Sequence, residues 1–115
     1  MRISDLAKAT GASIETVRYY ERAGLLRAAG RTEGNYRVYR PADVERLKFI
    51  RNCRALDMAL DEIRTLLQFR DQPRENCGAV NQLLDDHIGH VTDRIRELKA
   101  LEKQLKTLRE ECREA

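Results

Sequence analysis

Apolar residues near the start of the chain recur at helical spacing in two short runs separated by glycine. Ile3, Leu6 and Ala7 share one face of a first helix that Ser4 can cap and Gly11 ends. Ser13 can cap a second helix, in which Ile14 and Val17 point inward while Thr16, Arg18 and Tyr19 fall on other faces. Gly24 is placed to end it. Two short helices joined by a tight glycine-containing turn predict a helix-turn-helix. From Arg31 to Tyr39 the period changes to two. Gly34-Asn35 is turn chemistry, with Tyr36 and Val38 on one face and Arg37 and Tyr39 on the other, which predicts a small hairpin, or wing.

Helical spacing then returns. Pro41 suits the first turn of a third helix carrying Val44, Leu47, Ile50 and Cys53 on one row. A fourth carries Leu60, Ile63, Leu66 and Leu67, with Ala59 where a capping Ser or Asp is expected. Residues 71–78 read as a linker. Beyond it Leu84, Val91, Leu98, Leu105 and Cys112 recur every seven residues, flanked by Ile88, Ile95, Leu101 and Leu108, which is a coiled-coil seam. A helix that long cannot bury its stripe against so small a head, so a second copy of the chain is the simplest partner. The expected division is residues 1–75, a DNA-binding head with connecting helices, and residues 76–115, a metal-binding loop residue and dimerisation helix.

Composition narrows the function. At 115 residues, with 36% charged residues, 5% aromatics and no Trp, the chain suits a small helical domain and is too small for a multidomain enzyme. No apolar run approaches the ~20 residues of a membrane span and no signal peptide is evident, so a cytoplasmic protein without membrane contact is expected. No nucleophile–base pair or phosphate-binding glycine loop points to catalysis. The net charge of +3 is uneven: residues 1–50 hold ten Lys/Arg against six Asp/Glu, whereas residues 76–115 hold seven against eight. The basic excess lies in the head, where Thr16, Arg18, Tyr19 and Tyr20 on the second helix and Arg37 and Tyr39 on the wing are candidate DNA contacts. Arg supplies a planar fork for phosphate and Tyr an uncharged donor. Tyr20 is equally readable as partly core.

Ile3-Ser4-Asp5-Leu6-Ala7-Lys8, Thr16-Val17-Arg18-Tyr19-Tyr20-Glu21, Gly24-Leu25-Leu26 and Asn35-Tyr36-Arg37-Val38-Tyr39 strongly resemble the MerR family of transcriptional regulators. Val44 to Arg54, Leu56-Asp57-Met58 and Asp61 to Arg64 resemble its cadmium- and lead-responsive (CadR/PbrR-like) branch in particular. The resemblance spans essentially the whole chain. It implies a mainly α fold, a winged helix-turn-helix head followed by a long antiparallel coiled-coil dimerisation helix. It further implies a homodimeric activator that binds a pseudo-palindromic operator in double-stranded promoter DNA. With effector bound, such a dimer untwists and bends the operator so that RNA polymerase engages both promoter elements, and DNA deformability contributes to specificity.

Three Cys without an export signal make thiol or metal chemistry the live question. Cys77 precedes the long helix and Cys112 lies at its far end, roughly 50 Å away at ~1.5 Å per residue. One chain cannot join them, but two antiparallel helices bring Cys77 of one subunit to Cys112 of the other. Thiolates favour soft or borderline ions such as Cd(II), Pb(II), Hg(II), Zn(II) or Cu(I). The resemblance implies a divalent one, since the copper(I) branch carries Ser at the position of Cys77. The cadmium- and lead-responsive branch that the sequence resembles also carries a third Cys a few residues beyond the position of Cys112, and this sequence ends at Ala115 without it. Either the sequence is part of a longer chain, or water, an external thiol or a carboxylate such as Glu111 takes that place. Cys53 reads as a small core residue, and His87 and His90, at i, i+3, as a weak second metal site. A redox regulator using Cys77 and Cys112 as a disulfide switch is the alternative. An iron–sulfur relative would need four clustered Cys, and a drug-sensing one a further domain.

Overall fold

The computed structural model describes residues 1–27, 30–31, 34, 37–73 and 78–112. It is mainly helical and divides into two compact units, Met1–Arg74 and Glu75–Ala115. The first unit contains α1 (Ile3–Thr10), α2 (Ile14–Arg22), a two-stranded antiparallel ribbon of β1 (Gly30–Arg31) and β2 (Arg37–Val38), α3 (Pro41–Ala55) and α4 (Leu60–Asp71). In the ribbon Gly30 pairs with Val38 and Arg31 with Arg37. The second unit is the single helix α5 (Gly78–Glu111).

The helices begin by two devices. Ser13 caps α2, its hydroxyl accepting the Thr16 N–H at 3.1 Å. In α1, α3 and α4 a carboxylate in the first turn instead reaches back to the N–H of the preceding residue: Asp5 to Arg2 at 3.0 Å, Asp43 to Arg40 at 2.8 Å and Glu62 to Ala59 at 3.0 Å. Ser4 is therefore not the cap of α1, which starts at Ile3 with Arg2 at its edge. Ala59 has no side-chain acceptor for the first turn of α4, but its own N–H is held by Glu62, which secures the start of the helix from the other end. Gly11 (φ 69°) and Gly24 (φ 78°) adopt the left-handed conformation that stops α1 and α2. Asp57 (φ 60°) does the same between α3 and α4, where the Met58 N–H returns to the Cys53 carbonyl at 3.1 Å.

Helix α1 packs on α2 and α3, and α3 on α4. Leu6, Val17, Leu47, Ile50 and Ile63 are fully buried where they meet. Truncating one of these costs about 2–5 kcal/mol, several times what a surface ion pair contributes. The core can therefore hold the helix-turn-helix while its exposed side chains are varied. Ile14, expected inside, is exposed, so the buried residues of α2 are Val17 and Tyr20. Along α5 the residues Ile88, Val91, Ile95, Leu98, Leu101, Leu105 and Leu108 are all exposed, an apolar row that the chain leaves uncovered.

Candidate functional site

Helix α2 and the ribbon carry the candidate nucleic-acid contacts. Val17 and Tyr20, three positions apart, turn one face of α2 into the core, which leaves Arg18 and Tyr19 outside. Tyr19 is 44% exposed and meets the Tyr20 ring edge-on, with centroids 5.2 Å apart. Thr16 is half-buried at the start of the helix, and its hydroxyl pairs with that of Ser13 at 2.9 Å. Tyr20, at 8% exposure, packs beneath Tyr19 and supports it from inside the core.

The ribbon places Arg37 and Tyr39 on the same side, as the alternation predicts, but that side faces α2. Arg37 is exposed and its Nη1 pairs with Glu21 Oε2 at 2.8 Å. The Tyr39 hydroxyl donates to the other oxygen of the same carboxylate. Tyr39 is only 2% exposed, and its backbone is fixed by the N–H donating to the Met1 carbonyl at 2.7 Å. Burial, then the hydrogen bond to Glu21 and the charge of Glu21, push its pKa from 10.0 up to about 12, against a smaller downward pull from Arg37. Tyr39 is thus a buried strut between wing and α2. Glu21, absent from the sequence-based candidates, is the residue that joins wing to helix. Its one visible signal is a carboxylate among the basic and aromatic residues of α2. Asn35 and Tyr36, at the expected wing turn, lie outside the described residues.

Part of the head's basic excess is committed internally. Arg46 Nε donates to the Leu25 carbonyl at 2.6 Å, and Arg64 Nη2 to the Ala23 carbonyl at 2.7 Å, both at the end of α2. Arg51 donates to the Thr10 carbonyl at the end of α1, and Arg54 to the Met58 carbonyl at 2.9 Å. Arg51 and Arg64 satisfy carbonyls at the ends of α1 and α2, where a cation also meets the negative end of the helix dipole, and Arg46 and Arg54 satisfy carbonyls of the turns that follow α2 and α3. Charge counting cannot separate them from Arg18 and Arg37, which face outward.

Of the thiols, Cys53 is buried in α3, and burial raises its pKa. Cys112 is exposed just past the end of α5, where its N–H is 3.2 Å from both the Leu108 and Arg109 carbonyls. Cys77 lies outside the described residues. His87 and His90 sit edge-to-face with ring centroids 5.5 Å apart on α5. Among the described residues no three His, Cys, Asp or Glu side chains come together to hold an ion. No helix among them is long and apolar enough to cross a membrane.

Two family models match the chain: the MerR HTH family regulatory protein over residues 1–70, and the MerR DNA-binding region over residues 44–108. The chain is 46% identical to the HTH-type transcriptional regulator ZntR homolog of Haemophilus influenzae, over 96% of this chain and 82% of that protein. It is 38% identical to the mercuric resistance operon regulatory protein of Bacillus cereus, over 98% of this chain and 86% of that one. Among solved structures, the transcription regulator PbrR691 from Ralstonia metallidurans, crystallised with lead(II), is 51% identical. It aligns with a TM-score of 0.68 over 96% of this chain and 85% of its own. The regulator HiNmlR bound to promoter DNA, 23% identical, shares the fold with a TM-score of 0.76, over 90% of this chain and 78% of its own.

Proposed function

Because this chain belongs to the MerR family of helix-turn-helix regulatory proteins, we propose that it is a metal-responsive activator of transcription. It acts as a homodimer on promoter DNA and senses a soft divalent ion such as Cd(II), Pb(II), Zn(II) or Hg(II) through Cys77 and Cys112 of opposite subunits. The names of its relatives, which include zinc-, mercury- and lead-linked regulators, support a metal as effector. The observation that carries the reading is Cys112: an exposed thiol at the end of a helix whose apolar row is uncovered, with no metal shell assembled around it among the described residues of its own chain. A thiolate suits a soft ion, and in this reading Cys77 of the second subunit is its partner ligand. When bound, the ion ties the two chains together at the ends of their long helices.

On the DNA side α2 enters the major groove, with Thr16, Arg18 and Tyr19 positioned for the backbone and Arg37 reaching a phosphate from the wing. Tyr20 and Tyr39 hold these groups from beneath. The effector-bound dimer distorts the operator so that RNA polymerase engages it. Transcription from the operator, measured with each metal in turn, tests the reading. Cys112→Ser is expected to abolish the metal response while operator affinity stays within about twofold. A full response from Cys112→Ser contradicts the cysteine site. Activation that persists with metal under strong reductant rules out a disulfide switch between Cys77 and Cys112.

A further inference from the structure

The end of the recognition helix is gripped by two arginine side chains, one of which also reaches the end of α4. Arg46, on α3, forks: its Nε donates to the Leu25 carbonyl at 2.6 Å and its Nη1 to Asp71 Oδ1 at 2.8 Å. Leu25 closes the turn after α2, its own N–H returning to the Tyr20 carbonyl at 3.0 Å. Arg64, on α4, holds the Ala23 carbonyl two residues earlier, with its other arm on Asp61 at 2.6 Å. Val17 and Tyr20 seat the middle of α2 in the core and Glu21 ties it to Tyr39 and Arg37; this grip adds fixed points at the turn that follows the helix.

We infer that the Asp71–Arg46–Leu25 chain of bonds transmits the state of the α4 end to the recognition helix, which makes Arg46 and Asp71 positioning residues for the effector response. Asp71 is the last residue of α4, six positions before Cys77 in the sequence. The two ends of the link differ in exposure. The Arg46 side chain is 15% exposed and that of Asp71 38%, so the bond to Leu25 is sheltered while the bond to Asp71 is open to solvent. Half-exposed ion pairs are weak, as a contact that must break and re-form requires. Loss of Asp71 frees one arm of the fork and removes the constraint on the other, because a guanidinium held at two points has one orientation and at one point several.

The effector part of this inference rests on the proposed function; the link itself does not. The full-length protein carrying Asp71→Asn is compared with wild type by hydrogen exchange over residues 20–26 without metal, and by activation with lead(II), cadmium(II) and zinc(II). Exchange of the Gly24 and Leu25 amides is expected to rise. The activation ratio is expected to fall about fivefold, the lower range of a typical coupling between sites. Metal affinity, metal-free operator affinity and melting temperature should hold, and Asp71→Glu should restore the response. Unchanged exchange, an unchanged activation ratio, or a ratio that falls only together with operator affinity or melting temperature would overturn the inference. A wild-type protein that answers no metal would defeat the proposed function instead, and the metal-free exchange measurement would still decide the link.

Discussion

Replacing Tyr39 with Phe removes one hydroxyl from the junction of wing and recognition helix and leaves the ring in place. The hydroxyl donates to Glu21, whose side chain is 12% exposed and keeps Arg37 as its other partner. Hydrogen bonds to a charged group contribute about 1.5–3 kcal/mol, and the full loss applies when the orphaned group cannot reach water. Glu21 retains Arg37 and a path to solvent, which puts the expected loss at ~1–2 kcal/mol. At ~4–8 °C per kcal/mol for a small domain, melting should fall by roughly 4–16 °C, measured at fixed protein concentration because a dimer's melting depends on it. The burial of this hydroxyl, together with its bond to Glu21, has a pH signature. The folded pKa is raised from 10.0 to about 12, so the fold favours the neutral hydroxyl. The stabilisation is complete below pH 10 and is lost as pH rises through about 12. Titration of phenolate absorbance should show a phase near pH 12 in wild type that is missing in Tyr39→Phe. An unmoved melting temperature, with the two proteins showing the same phase near pH 12, would refute the strut.

Other outcomes follow from the same geometry. Arg37→Ala should weaken operator binding and reduce the slope of log affinity against log salt by about 0.9, the value of one phosphate contact; an unchanged slope means Arg37 stays with Glu21 on DNA. Glu21→Gln removes a negative charge beside Arg37 and should raise affinity for non-operator duplex, and a fall would contradict that placement. Leu98→Glu, in the middle of the exposed apolar row of α5, should convert the dimer to monomer in sedimentation, whereas a persisting dimer would place the interface elsewhere. Under native conditions alkylation should reach Cys112 well before Cys53, whose burial disfavours the thiolate, and equal rates would contradict that burial.

The helical framework is legible in the sequence because it depends on local spacing. The rows through Leu6, Val17, Leu47, Ile50 and Ile63 appear where 3.6-residue periodicity puts them, and Gly11 and Gly24 stop helices as turn chemistry demands. Contacts between elements are far less legible. Periodicity assigns Arg37 and Tyr39 a common side of the ribbon but cannot say that α2 lies on that side with a carboxylate waiting. A residue expected at the DNA surface is for that reason buried. Ser4 against Asp5, and Ala59 against Glu62, show the same limit at smaller scale: either end of a first turn can supply the cap, and the choice falls with how the chain enters the helix. The arginines at positions 46, 51, 54 and 64 are indistinguishable from DNA-binding ones by charge, since their acceptors are backbone carbonyls that no side-chain pattern reveals.

The central claim is that two subunits share each metal site. Its most direct test mixes a Cys77→Ser subunit with a Cys112→Ser subunit, purifies the heterodimer by differential tags, and counts lead(II) or cadmium(II) by native mass spectrometry. If each site takes Cys77 from one chain and Cys112 from the other, the two substitutions fall in the same site and leave its twin intact. The heterodimer then binds one ion tightly and either homodimeric variant binds none. A heterodimer that binds no ion, or homodimeric variants that bind as wild type does, would contradict the shared site.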